Sequence, residues 1–240
     1  MTTHFEQHEA TAPLGRDTGA GYFLPVQKAD FAEARQINHA AKRLFDIVVS
    51  VSLLIVLAPL LMLIGLAIRA DRGPAVFRHR RVGRGGLAFG CLKFRSMSVT
   101  AEQDLAAHLA ADPAAAAEWA GQRKLQRDPR ITRLGRLLRT TSLDELPQLF
   151  NVLRGEMSLI GPRPVVREEL EQHYCVTGQR AYAATPPGIT GLWQVSGRSG
   201  TSYTERVRLD IAYVNDWSLR QDILILLRTV PAVLRRKGAV

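Results

Sequence analysis

Cysteine is nearly absent: Cys91 and Cys175 are the two in 240 residues, far apart and outside any metal-ligand spacing. That excludes a disulfide framework and a structural zinc site, and it fits a reducing, cytoplasm-facing compartment. Acidic residues are scarce beside basic ones, 22 against 32, so the chain carries a formal charge of +10 and its surface favours a polyanion. Nucleic acid, anionic lipid headgroups and phosphorylated substrates would all serve. Aromatic residues make up 7 % and are not interleaved with the basic clusters, and no zinc finger or other nucleic-acid motif occurs. No nucleic acid is therefore expected among the partners. No internal repeat of usable period appears, so a solenoid is excluded.

Against these absences stands one long apolar run. Residues 47–68 hold no charge across 22 positions, about 33 Å as a helix, which matches a bilayer core. It starts too late and runs too long for a cleavable signal peptide, and Arg69 and Arg72 follow it where a small-residue cleavage site would be. Lys42 and Arg43 precede it, and Arg69, Arg72, Arg78, Arg80 and Arg81 follow, so both flanks read as cytoplasmic. Pro59 near its middle removes a helix hydrogen bond and lets the halves bend, each about half a bilayer long. The pattern predicts a re-entrant helix-break-helix in preference to a straight span, with Ser50 or Ser52 as candidates to satisfy the break.

The rest divides by texture. Residues 1–38 are polar without sustained period and read as a mostly disordered N-terminal arm. The membrane helix is assigned to 39–72 and one catalytic domain to 73–240. Within that domain, 77–90 alternates like a hairpin leading into "FGCLKFRSM", and 101–124 reads as two helices broken at Asp112-Pro113. Arg130, Arg133, Arg136 and Arg139 recur every three residues, a basic stripe if helical. Ser202 with Glu205 and Ser218 with Gln221 have capping-box spacing. The last helix, apolar and bearing Arg228, Arg235, Arg236 and Lys237, reads as amphipathic at the membrane interface, with Pro231 as a kink. The fold class is thus α+β, mainly helical, around a small sheet.

The densest chemistry lies in "LRTTSLDELPQLFNVLRGEMSLIGPRP", residues 138–164. Ser142 and Glu145 have capping-box spacing, a purely structural use of Glu145. As chemistry, Asp144 stands at a helix N-terminus between Arg139 and Arg163, where its pKa is expected to be depressed and phosphate oxygens can be held. An ionised Asp144 can attack phosphorus to give an acyl phosphate, splitting one phosphoryl transfer into two displacements. Repulsion from an anionic diphosphate then calls for Mg²⁺, with Glu145 as its protein ligand. A hydrolase using the same carboxylates to activate water, or a membrane-tethered scaffold without catalysis, would use these residues differently.

These motifs, together with "KRLFD", "CLKFRSM", "DPRITRLGRLLRTTSLDELPQLFNVLRGEMSLIGPRP", "PGITGLWQVSGR" and "YVNDWSLRQDILILLRT", resemble the bacterial sugar transferase family of monotopic phosphoglycosyltransferases. The resemblance runs in the family's order from Lys42 onward, about four fifths of the chain. It implies a Pro-hinged re-entrant helix, an Asp-Glu dyad, Mg²⁺ dependence and ping-pong transfer with the phosphosugar on the Asp. By motif, Asp144 is the nucleophile and Glu145 the metal-associated partner. Arg139 and Arg163 would bind phosphate, Lys93 would support the carboxylates or phosphates, and Arg198 would reach the nucleotide sugar. Pro186 stands where members often carry Arg before the Pro-Gly of "PGITG", which removes a contact that position would otherwise supply. The chain resembles the compact form that begins exopolysaccharides. The implied partners are a UDP-sugar donor (UDP-galactose or UDP-glucose first, N-acetylated sugars kept open), undecaprenyl phosphate and inner-leaflet anionic lipids. A homodimer is left open. The implied location is the cytoplasmic face of the bacterial inner membrane.

Overall fold

The computed structural model describes residues 39–240 apart from 71, 123, 124, 126, 198–201 and 235–240. The proposed N-terminal arm, Arg198, and the basic cluster Arg235, Arg236 and Lys237 lie outside the described residues.

The chain opens with α1 (His39–Arg69), a single helical element that includes Pro59. By length and composition it is long and apolar enough to cross a membrane, and only 11 % of its most apolar window is buried in the protein. Ile55, Val56, Met62, Leu63 and Leu66 are exposed apolar side chains along it. Its two ends nevertheless both pack onto the remaining chain. Near the start, Lys42 Nζ donates to Asp222 Oδ2 at 2.8 Å, and Arg43 donates to the carbonyls of Val152 and Leu153. One turn on, Asp46 Oδ1 accepts from Leu159 N at 3.1 Å. Near the end, Ile64 and Ile68 are buried with Phe94 and Leu138. Ser52 Oγ donates to Val48 O at 2.9 Å and Ser50 Oγ is buried without a partner, so neither serves the proline break.

The antiparallel hairpin of β1 (Val76–Val82) and β2 (Ala88–Phe94) follows, as the alternation predicted, turning through a short 3-10 segment at Arg84–Gly86. Pairing of Phe77 with Lys93, His79 with Cys91 and Arg81 with Phe89 puts these six residues on one face. Helices α2 (Ala101–Ala111) and α3 (Pro113–Gln122) form on either side of the expected break, with Asp112 Oδ1 accepting from Ala114 N and Ala115 N to start α3. Next come α4 (Arg133–Thr141), α5 (Gln148–Arg154), β3 (Ser158–Ile160), α6 (Arg167–His173), α7 (Val176–Ala184), β4 (Gly188–Thr190), α8 (Leu192–Ser196), α9 (Tyr203–Asn215) and α10 (Leu219–Leu234). Ser202 caps α9 through Glu205 N, and Ser218 Oγ accepts from Gln221 N at the start of α10. Both are as the spacing required.

In place of one small sheet there are two among the described residues, each of two strands: β1-β2, and the parallel pair β3-β4. Parallel strands need a long connection, here α6 and α7, so this pairing has no local signature. Backbones meet closely where Gly188 lies against Gly161 N, and a Cβ on Gly188 would collide there. The main core gathers α5, β3, α7, α9 and α10 around Leu149, Val152, Ile160, Tyr213 and Ile225, with Phe45 and Val49 of α1 packed against it. Beneath lies a buried polar clasp. Asp222 accepts from Lys42, from Tyr213 OH at 2.8 Å and from Trp217 Nε1 at 3.1 Å, while Tyr213 OH also reaches Ile160 O at 3.0 Å.

Candidate active site

The site is built from the end of α4, the hairpin and the turn after β3. Thr132 Oγ1 caps α4 by accepting from Gly135 N at 2.9 Å. Gly135 lies so tightly on the backbone of Ser96 that any Cβ would overlap Ser96 O. This close approach lets Arg139, one helical turn on, donate from Nε to Ser96 Oγ at 2.8 Å. The rest of the expected basic stripe divides at the start of α4. Arg130 precedes the helix and is ion-paired with Asp128 at 2.6 Å, and Arg133 and Arg136 are exposed.

After α4, Ser142 takes a left-handed conformation (φ 56°) and the chain enters a 3-10 turn, Leu143–Glu145. The predicted capping box is not formed: Ser142 makes no side-chain cap, and Glu145 N bonds the Ser142 carbonyl at 3.2 Å. Helix α5 begins only at Gln148, behind Pro147. Asp144 is therefore in a buried turn rather than at an α-helix N-terminus, and Glu145 is left free to meet another partner.

That partner is Lys93, whose Nζ lies 2.7 Å from Glu145 Oε1 and 3.9 Å from Asp144 Oδ2. The two carboxylates titrate differently. Burial raises Asp144 to about 6 and the neighbouring Glu145 charge adds to this, while Lys93 and then Arg139 pull the other way. The expected depression is thus reversed, because Asp144 is only 8 % exposed and its desolvation outweighs the pull of the cations. Burial also acts on Glu145, but the charges of Lys93 and Arg163, the Lys93 hydrogen bond and Arg81 outweigh it and hold its pKa below the usual value.

Lys93, Glu145 and Arg163 line one cleft, with Arg81, Gln148 and Gln194 added to the residues expected from the sequence. Arg163 follows β3 in the "GPRP" turn, and its guanidinium lies 5.7 Å from the Trp193 ring centroid, within cation–π range. Pro186 sits beside this turn: its carbonyl lies close to Gly161, and Gly188 N donates to Pro162 O at 2.8 Å. Arg81 was legible in part, since strand parity places it on the Lys93 face once the register is known. Gln148 and Gln194 carried no signal beyond their motifs. Cys91 also lines the cleft, and burial pushes its thiol up to about 11, so it stays protonated and unreactive.

Among the described residues no three His, Cys, Asp or Glu side chains cluster at metal-binding range. At the site, Asp144 and Glu145 offer adjacent carboxylates, the donor type that Mg²⁺ takes together with substrate phosphates and water. The residues present fit that ion only as a site completed by a phosphorylated ligand.

The family model of the bacterial sugar transferases matches residues 37–236. The chain is 52 % identical over 206 residues to an undecaprenyl-phosphate galactose phosphotransferase of Salmonella typhimurium, covering 86 % of this chain and 43 % of that protein. It is 44 % identical over 225 residues to the exopolysaccharide production protein ExoY of Sinorhizobium fredii, covering 93 % and 97 % respectively. A UDP-glucose:undecaprenyl-phosphate glucose-1-phosphate transferase of Caulobacter vibrioides is 44 % identical over 207 residues, covering 82 % and 71 %. The chain thus spans less than half of the Salmonella relative and nearly all of the Sinorhizobium one.

Proposed function

This chain belongs to the bacterial sugar transferase family, and from that premise we propose that it transfers galactose 1-phosphate or glucose 1-phosphate from a UDP-sugar to undecaprenyl phosphate, initiating exopolysaccharide assembly. The observation that carries the proposal is the buried Asp144 beside Glu145, both facing Lys93, with Lys93 and Glu145, though not Asp144, lining a cleft that Arg81 and Arg163 make cationic.

Asp144 with a pKa of about 6 is mostly ionised at neutral pH yet poorly solvated, which favours nucleophilic attack. Its carboxylate oxygen attacks the sugar-bearing phosphorus, an O–P bond forms, and the bond to UMP breaks with its electron pair on the departing phosphate. An oxygen of undecaprenyl phosphate then attacks the same phosphorus and returns the carboxylate. Arg81, Arg163 and Lys93 hold the phosphate oxygens as charge shifts between them. Mg²⁺, held by Glu145 and the diphosphate, would neutralise charge on the donor. Arg139, bonded to Ser96, supports Asp144 through its charge.

Three features support a monotopic placement at the cytoplasmic face. Both ends of α1 pack on the remaining chain, an arrangement that favours a re-entrant helix bending near Pro59 over a straight span. Helix α10 exposes Ile223, Leu224, Leu227 and Val230, an apolar strip suited to the interface. Arg69, Arg78 and Arg80 flank the membrane helix, as anionic headgroups favour.

The test is a reconstituted assay of UMP release with UDP-galactose or UDP-glucose and undecaprenyl phosphate. Activity of the wild type with Mg²⁺, its loss with EDTA, and its loss in Asp144→Asn are expected. An active Asp144→Asn removes the nucleophile assignment, and a wild type inactive with every UDP-sugar returns the reading to a scaffold of polysaccharide assembly.

A further inference from the structure

Asn151, in the middle of α5, is fully buried, and its carboxamide is spent on the backbone of β2. Its Oδ1 accepts from Leu92 N at 2.9 Å and its Nδ2 donates to Gly90 O at 2.8 Å. An N–H and a C=O two residues apart are what a strand presents on the edge its neighbour does not use, so the amide stands where a third strand would pair. The second Nδ2 hydrogen goes to Glu156 Oε2 at 2.6 Å. Gly155, left-handed at φ 79°, turns the chain back after α5, and Glu156 N donates to Asn151 O at 3.0 Å. One orientation of the amide, oxygen towards Leu92, satisfies all three side-chain partners, since an N–H must donate while a carbonyl and a carboxylate must accept.

This side chain joins the two elements that meet at the reacting centre. Leu92 is followed by Lys93, and α5 follows the turn that carries Asp144 and Glu145. Around the amide, α5 and β2 meet through apolar groups, with Cys91 in one cluster with Leu149 and Val152. Apolar contact is non-directional and leaves a strand free to slide. A slide of one residue would turn Lys93 to the opposite face of the hairpin. Hydrogen bonds to Gly90 and Leu92 admit a single register, the one in which Lys93 Nζ lies 2.7 Å from Glu145 and 3.9 Å from Asp144.

We propose that Asn151 is a positioning residue for the transfer: standing in for a third strand, it fixes β2 against α5 and so holds Lys93 at the two carboxylates. Asn151 does not line the cleft and acts only through Lys93. The proposal rests on the phosphoglycosyl-transfer reading above and adds to it a residue that touches no substrate.

The experiment uses the full chain in lipid nanodiscs and follows single-turnover UMP release from UDP-galactose and UDP-glucose, well below the lowest Tm of the set. Asn151→Leu keeps the approximate shape of the side chain and removes its three hydrogen bonds, so the rate should fall about tenfold or more. In a Lys93→Met background the same substitution should cost less than about twofold further, because the residue through which it acts is gone. A purely structural loss, which lowers the amount of folded enzyme, multiplies equally into both backgrounds. Glu156→Ala, at a half-buried side chain, releases the carboxamide from its third partner. Its smaller loss should likewise vanish in the Lys93→Met background, and Glu156→Gln, which keeps an acceptor, should restore most of the rate.

A wild-type rate in Asn151→Leu, or losses of equal factor with and without Lys93, would overturn the assignment in favour of an ordinary core amide. If Asn151→Leu does not fold, Glu156→Ala decides: a loss confined to the Lys93 background and recovered by Glu156→Gln upholds the proposal, and any other result overturns it. A wild type that releases no UMP from either UDP-hexose overturns the transfer reading and this inference with it, whereas an active wild type matched by Asn151→Leu overturns the inference alone.

Discussion

Replacing Lys93 by methionine should move the acid limb of the first half-reaction to higher pH. The limb belongs to Asp144, which burial holds at about 6 against the opposing pull of Lys93. At 3.9 Å between Nζ and Oδ2, the attraction is about 1 kcal/mol at the dielectric of water and about 4 kcal/mol at an effective value of 20. Since one pKa unit corresponds to about 1.4 kcal/mol, loss of the ammonium should raise the limb by about one unit or more. Wild-type Asp144 would be about nine-tenths ionised at pH 7, and the variant about half or less. Single-turnover UMP release from UDP-galactose, measured from pH 5 to 9, resolves the limb independently of its amplitude. Lost phosphate contacts would lower the rate at every pH, but only the electrostatic role moves the limb. A limb that stayed in place or moved down would refute the argument.

Other perturbations test other parts of the molecule. Lys42→Met leaves Asp222 as a buried, unpaired charge and should cost about 3–5 kcal/mol, seen as a fall in Tm in nanodiscs; Lys42→Met with Asp222→Leu should recover part of it. Gly135→Ala would drive a Cβ into Ser96, displace the Arg139–Ser96 bond and lower UMP release about tenfold or more, while a variant at exposed Arg136 leaves it unchanged. Asp210 is buried and its pKa is raised to about 7 by burial, with Tyr174, Arg163 and Arg206 opposing. The folded state therefore binds a proton that the unfolded state releases near 4. The stability this gives is full below about 4 and lost as pH rises through about 7. Asp210→Asn should lack that decline, so its Tm relative to wild type should rise between pH 4 and 8.

Much of the local structure was legible because its causes are local. The apolar run at 47–68, the Asp112-Pro113 break, the hairpin alternation and the Ser202 and Ser218 caps each act within one or two turns, and all appear in the fold. The Asp144-Glu145 pair and its basic company were likewise legible, from a motif of short span. The Ser142 capping box failed where the same local rule met a left-handed residue and Pro147, which delay α5 to Gln148.

What only the tertiary structure decided depends on groups distant in sequence. "KRLFD" reads as a basic flank of a membrane helix, but Lys42 meets Asp222 across 180 positions and Asp46 meets Leu159 across 113, fastening the helix to the rest of the chain. Desolvation sums over every atom that excludes water, so a sequence that placed cations near Asp144 pointed to a lowered pKa while the folded turn raises it. Arg81, Gln148 and Gln194 reach the cleft through a strand register, a delayed helix start and a parallel β3-β4 pairing. The sequence by itself determined where the paired carboxylates and the basic residues stand along the chain; burial and long-range pairing determined their charge states and their company.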